Sequence, residues 1–428
     1  MLLYARVFLN DKEEREILQG YPWVYFNEIS SVRYTGEDKK IQTSTLEDCN
    51  VKDGALVDVF TFAGRFLGCG VINRKSKITI RFLSHSLKAC DIMEDTYAYW
   101  DKIVYNAVNL RRQDFSDDES IRIAFAEADF LPGLIVDRYV EWDGTKRNAY
   151  LVVQFLAMAT EVFRDEILTA LKKYCNPIAI YERSDDASRE KEGLPLVSTW
   201  IGNVGKNIVR ICEKGIFLDV DIVSGQKTGY FLDQKCNRVE LRRYVHSKRV
   251  LDTFTHTGAF GLNAVKGGAK EVISVDISQE AVDMVNNNIK INGYEKKMKA
   301  LRADVFDLLR QYEKSGEKFD VIVLDPPAFT KSAKTIKKAY GGYKEINLMA
   351  MKLLNDGGIL LTCSCSHYFD SNIFYDMLMH AARDSKKMVQ VLQKRGASSD
   401  HPVLLGYPKS EYLKCAICRV FSGDGKVE

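Results

Sequence analysis

The stretch Val321-Ile322-Val323-Leu324-Asp325-Pro326-Pro327-Ala328-Phe329 constrains the fold more than any other. A short aliphatic run rich in β-branched residues predicts a strand buried on both faces, as in a parallel sheet. An acid, two prolines and an aromatic follow, so the strand stops abruptly and the chain turns. In an open α/β sheet, ligands gather at the carboxyl ends of the strands, where Asp325 and Phe329 would stand. A carboxylate beside a ring suits a flat, hydrogen-bonding ligand such as a nucleobase. A purely structural turn would carry the same residues, so the surroundings must decide.

Those surroundings alternate strand and helix from about residue 205 onward, the pattern of a parallel sheet with helices on both faces. Val250-Leu251-Asp252-Thr253 is a strand leading through Phe254-Thr255-His256-Thr257 to Gly258, and a helix follows to Lys266-Gly267-Gly268. The next strand, Glu271 to Val275, ends at Asp276, 18 residues after Gly258. That is where an acid accepts hydrogen bonds from ribose hydroxyls. Helix Gln279 to Asn292 and strand Met298 to Ala303 lead to a third acid, Asp304, placed to hold an adenine amino group. Neither G-x-G-x-x-G nor a P-loop is present, so a nucleoside cofactor without a phosphate chain fits better than NAD or ATP. S-adenosylmethionine is such a cofactor.

At 428 residues the chain is long enough for two or three domains. Residues 1–85 read as a small all-β domain, with strands at 54–61, 65–72 and 77–82. Gly20 to Tyr25 reads as an aromatic loop or turn near Arg74, Lys75, Lys77 and Arg81. Bases and aromatics together grip RNA, although solvated lysines on a small barrel look the same. Residues 88–200 read as a central α+β unit. There a helix over 100–112 presents Trp100, Ile103, Val104, Ala107, Val108 and Leu110 on one face, and a charged connector runs from Ser184 to Gly193. Arg111, Arg112, Arg138 and Arg183 either face RNA or, the weightier reading, pair with nearby acids. Residues 205–428 form the α/β domain.

Apolar residues make up 46% and charged residues 28%, as in a soluble globular protein, and the net charge of +3 permits nucleic-acid binding without demonstrating it. No apolar run of about 18 residues predicts a membrane span. The start lacks a basic leader, so the expected location is the cytoplasm. Ten scattered cysteines fit a reduced compartment. The single C-x-x-C pair, Cys415 and Cys418, lacks further ligands in register, so packed strand cysteines and no metal are expected.

The strand after Asp325, Gly358 to Thr362, ends in Cys363-Ser364-Cys365-Ser366-His367. Cytosine carbon 5 is too poor a nucleophile to take a methyl group unaided. A thiolate added at carbon 6 makes it enamine-like, and a carboxyl group on the base edge stabilises the developing charge. Cys365 and Asp325 would supply those parts.

Gly225-Gln226-Lys227-Thr228-Gly229-Tyr230-Phe231-Leu232-Asp233-Gln234, Asp325-Pro326-Pro327-Ala328-Phe329, Ser364-Cys365-Ser366, His401-Pro402-Val403 and Tyr412-Leu413-Lys414 resemble the RlmI-like family. These are class I methyltransferases of cytosine carbon 5 in 23S ribosomal RNA. The resemblance covers nearly the whole chain. It implies a Rossmann-like methyltransferase domain preceded by a β-barrel PUA domain and a central α+β domain. It implies S-adenosylmethionine as cofactor, and 23S rRNA or a large-subunit precursor as partner. Gln226, Thr228 and Asp233 would wall the cofactor site from a preceding hairpin. Gly258, Asp276, Asp304 and Asp325 match the cofactor and target motifs. Cys365 matches the nucleophile, and Pro327 and Phe329 would line the target pocket.

Three positions depart from the family. Cys363 stands for an apolar residue, leaving two cysteines to choose between; His256 replaces a common Tyr; Ala328 replaces a frequent Lys. A basic stretch, Lys331 to Lys338, would hold phosphates or form a solvated helix face. Nitrogen methylation, which needs no thiol, and a non-catalytic RNA-binding assembly factor stay open, as does a homodimer.

Overall fold

The computed structural model describes residues 2–144, 147–330 and 332–423. The chain divides into two compact units. One comprises Met1–Val209, Asp221–Tyr230 and Ser399–Ser410; the other comprises Arg210–Val220, Phe231–Ser398 and Glu411–Glu428.

The first unit begins with a seven-stranded sheet in the order Trp23–Tyr25, Ile78–Ser84, Phe66–Ile72, Leu56–Phe60, Ala5–Leu9, Ile29–Thr35, Ile41–Ser44. Ala5–Leu9 runs parallel to Leu56–Phe60, whereas the neighbouring hairpin strands pair antiparallel. The expected loop at Gly20 to Tyr25 contains a strand, because Trp23, Val24 and Tyr25 pair with Arg81, Ile80 and Ile78. Pairing with a distant strand overrides the local Gly-Tyr-Pro turn signal. A short helix, Glu14–Leu18, also lies in the region expected to be all-β.

The same unit continues with a five-stranded sheet in the order Val197–Ile201, Ala179–Ser184, Arg147–Phe155, Leu134–Trp142, Ile121–Phe125. Helix Thr96–Arg112 starts at Asp95, whose side chain accepts from the Ala98 N–H at 2.8 Å. It buries Trp100, Val104, Ala107 and Val108, but Leu110, expected on that face, is exposed. Arg111 takes the inward position instead, forked onto Asp129 at 2.5 and 2.6 Å. Arg112 and Arg138 both reach Asp117, at 3.3 and 3.0 Å, and Arg183 lies 3.8 Å from Asp185. The connector after Ser184 folds into helix Ala187–Lys191, capped by Asp186.

In the second unit the alternation becomes one sheet of seven strands: β1 (Arg249–Thr253), β2 (Glu271–Asp276), β3 (Met298–Arg302), β4 (Phe319–Leu324), β5 (Leu354–Ser364), β6 (Lys387–Arg395) and β7 (Lys414–Ser422). Their order is β3-β2-β1-β4-β5-β7-β6. The first five are parallel, and β7 inserts antiparallel between β5 and β6. Val321 to Leu324 are fully buried, as a central parallel strand requires. Helix Gln279–Ile291 starts at Ser278, and helix Val305–Ser315 runs from the Asp304 cap to Gly316, a left-handed stop at φ +75°. The order reverses between β1 and β4, which stay paired to their last residues, Thr253 and Leu324; at such a switch point the connections leave toward opposite faces of the sheet, the usual place for a ligand.

Candidate active site

The β1 tip is shaped by backbone. Phe254, His256 and Gly258 have φ of +55°, +52° and +82°, so the strand enters helix Ala259–Lys266 through a turn with three left-handed residues. Two are not glycine, a cost that surrounding contacts must hold in place. Asp252, whose strand was recognised but not its role, is one such anchor. Its Oδ2 accepts from Thr255 Oγ1, from the Gly261 N–H at 3.0 Å and from Ser274 Oγ at 2.9 Å. Burial pushes this carboxyl up to about 6 despite those donors. Asp276, at the β2 end, accepts from the His256 N–H at 3.0 Å and the Ser278 N–H at 3.1 Å, tying the turn to the neighbouring strand. Asp304 is exposed, and its Oδ1 caps helix Val305–Ser315 through the Phe306 and Asp307 N–H groups.

The tips of β4, β5 and β7 are held by side chains. Gln234 donates through Nε2 to Asp325 Oδ1 at 2.9 Å, and its own Oε1 accepts from Asn237 at 2.7 Å. Asp325 therefore points in a fixed direction. Phe329, half-buried, packs on Tyr343 with ring centroids 4.5 Å apart, while Pro327 is exposed. The two candidate cysteines differ sharply. Cys363 is fully buried inside β5 opposite Cys415, and burial drives its thiol well above the ordinary range. Cys365 lies just past the strand end and is partly exposed. The loop carrying it is fastened by Ser366 Oγ to the Thr330 carbonyl at 2.9 Å, and by Lys414 Nζ to the Ser366 carbonyl at 2.6 Å. Asp233 is buried and accepts from Tyr412 Oη at 2.5 Å.

Gln226 and Thr228 belong to the first unit. Gln226 is exposed in a turn, and Thr228 is buried, bonded to Asp137 and to Tyr139 at 3.1 Å. In the amino-terminal sheet, Arg81 is engaged by Glu127 at 2.5 Å and Glu192 at 3.0 Å, and Arg74 by Asp53 at 3.1 Å. Those two cations thus serve the fold, although Arg81 and Lys409 also lie 5.0 and 5.4 Å from the Trp23 ring. Of the basic stretch, Lys331 lies outside the described residues, and 336–338 open helix Ile336–Leu353. Cys415 and Cys418 are buried in β7, and among the described residues no cluster of side chains suits a metal ion.

A family model for S-adenosylmethionine-dependent methyltransferases matches residues 193–402, and one for PUA-like domains matches residues 7–85. Ribosomal RNA large subunit methyltransferase I of Klebsiella pneumoniae is 37% identical over 423 residues, covering 98% of this chain and 99% of the relative. The protein of that name from Escherichia coli is 37% identical over 421 residues, covering 97% and 99%. This chain belongs to the ribosomal RNA large subunit methyltransferase I family. Its fold is similar to the crystal structure of SMU.776 complexed with SAH (TM-score 0.77, 20% identity, 97% and 99% covered) and to that of a Streptococcus mutans protein (TM-score 0.75, 21% identity, 97% and 99% covered).

S-adenosylmethionine, the cofactor of the methyltransferase I family, suits the β1–β2 tips. A Cβ on Gly258 would stand 3.0 Å from Val285, and one on Gly261, in the first turn of the following helix, only 2.3 Å from Ser274, so at these two positions only backbone fits. Asp276 and the turn from Phe254 to Gly258 are the residues that would hold the nucleoside. Sequence reasoning did not single out Asp252, Gln234 or Lys414 for roles. Gln234 and Lys414 stood within the motifs that carry the family resemblance, which was the available signal.

Proposed function

We propose that this protein transfers a methyl group from S-adenosylmethionine to carbon 5 of a cytosine in large-subunit ribosomal RNA, with Cys365 as nucleophile. The observation that carries this reading is the contrast between the cysteines at the β5 tip. Cys363 is sealed in the sheet with a raised thiol pKa, while Cys365 is partly exposed at the strand end, at the same edge as Asp325. A raised thiol pKa makes an inert cysteine.

Bound S-adenosylmethionine supplies an electrophilic methyl group. Cys365 adds through its thiolate to carbon 6 of the flipped base, raising electron density at carbon 5; once carbon 5 carries the methyl group, loss of its proton to a base breaks the carbon–sulfur bond, restores the ring and returns the thiolate. Asp325, one oxygen of which accepts from Gln234, holds the base by accepting from the amino group on its edge, which orients the ring for attack. Phe329 and Pro327 line the approach of the base. The PUA-like segment carries Trp23, whose ring lies 4.8 Å from that of Tyr407 outside the segment, and such aromatic surfaces support RNA binding by stacking.

Base-resolution mapping of rRNA methylated by Cys365→Ser and Cys363→Ser variants tests the reading. The first is expected to give no methylcytosine and the second near-normal levels. Retained methylation in Cys365→Ser sinks the thiolate mechanism, and a methyl group found on a ring nitrogen moves the reading to nitrogen transfer.

A further inference from the structure

We infer that Lys414 is a positioning residue for the Cys365 thiolate, its ammonium fixed beside the β5 tip so that the sulfur is held in its charged form. This rests on the reading of Cys365 as nucleophile. Lys414 is the first residue of β7 and pairs in register with Ser364, the residue before Cys365. Its Nζ donates to the carbonyl of Ser366, the residue after Cys365, at 2.6 Å, and to the carbonyl of Tyr412 at 2.7 Å. The amine is thus tied to the backbone on one side of the sulfur and registered against the other.

Lys414 is only 4% exposed, and lysines are almost never buried so deeply without a charge partner. Two carbonyls satisfy two of the three ammonium donors and neutralise no charge. Burial lowers this amine to about 8, and Cys365 is the strongest of the groups that oppose the shift, ahead of Asp370 and Glu411. Tyr343, from helix Ile336–Leu353, feels both Cys365 and Asp325. Asp325 disfavours a second negative charge nearby, so a thiolate at this rim calls for a compensating cation, and Lys414 is a buried cation bonded to this loop. An adjacent ammonium favours the thiolate over the thiol.

The test is the pH profile of Cys365 alkylation by iodoacetamide, read on its own peptide by mass spectrometry in the full-length protein. Wild type is compared with Lys414→Met, Lys414→Gln and Lys414→Arg, with thermal unfolding measured in parallel. Lys414→Met is expected to slow Cys365 alkylation at pH 7 by about 10-fold or more. Lys414→Arg is expected to recover part of that rate. Lys414→Gln keeps an amide donor for the carbonyls without charge, and stands in if the Met variant fails to fold; it should react as slowly. Unchanged profiles in the uncharged variants, with only a lower melting temperature, would reduce Lys414 to an anchor for two carbonyls and overturn the inference. Methylation retained by Cys365→Ser would instead remove the nucleophile reading and leave the alkylation profiles standing.

Discussion

The tips of β1 and β2 and the tips of β4, β5 and β7 stand at one edge of the same sheet, yet they are built by different means. On the β1–β2 side, two acids hold the turn through three backbone N–H groups, of His256, Ser278 and Gly261, together with the hydroxyls of Thr255 and Ser274. The product is a rigid turn with left-handed φ at Phe254, His256 and Gly258. On the β4–β5–β7 side, side chains reach over to fix one another or a loop: Gln234 on Asp325, Lys414 on Ser366, Tyr412 on Asp233. A site that only binds needs shape, which backbone supplies. A site that reacts needs charges at set places, which side chains supply.

This difference separates two substitutions by the kinetic constant each should move. Asp325→Asn keeps the size of the side chain but removes the charge facing the base. We expect kcat to fall by about 10²–10³-fold, with KM for S-adenosylmethionine changed little, in steady-state assays on rRNA fragments. A loss confined to KM would erase the distinction between the rims. Gly258→Ala forces a Cβ into a position at φ +82° and 3.0 Å from Val285. The left-handed penalty of about 1–2 kcal/mol predicts a KM for S-adenosylmethionine raised about 10-fold, with kcat less affected. If kcat falls more than affinity, the turn positions the reaction as well as the ligand.

The two rims were also unequally legible in the sequence. Gly258, Asp276, Asp304 and Asp325 could be found because each ends a strand or punctuates a turn, and strand period and turn chemistry are local properties. Asp304 shows the limit of that logic, since a strand-end acid doubles as a helix cap and its spacing cannot separate the two roles. The second rim depends on partners 91 residues apart for Gln234 and Asp325, and 48 apart for Lys414 and Ser366. The latter pairing exists only because β7 inserts between β5 and β6, a tertiary choice that no local pattern encodes. The choice between Cys363 and Cys365 was likewise closed to sequence, because both flank Ser364 and burial alone distinguishes them. Trp23–Tyr25 failed for the same reason, its strand character coming from a partner more than fifty residues away.

The smallest effect on turnover is expected at Asp252, where the β1–β2 rim can be probed through stability. Its carboxyl is buried and sits at about 6, above the ordinary value near 3.9. The folded state therefore binds this proton more tightly than the unfolded chain. The stability it contributes is complete below about pH 4 and is lost as pH rises through about 6. Asp252→Asn cannot ionise, and its amide oxygen can still accept from Thr255, Gly261 and Ser274. Its amide nitrogen replaces Oδ1, a buried atom that has no hydrogen-bond partner. Denaturant unfolding of wild type and Asp252→Asn between pH 4 and 7 should give curves whose separation changes by about 1–3 kcal/mol, in favour of the variant as pH rises. Parallel curves would show that Asp252 stays ionised throughout. The short donor set would then outweigh burial, and the β1 turn would be held by a charge, like the rim opposite.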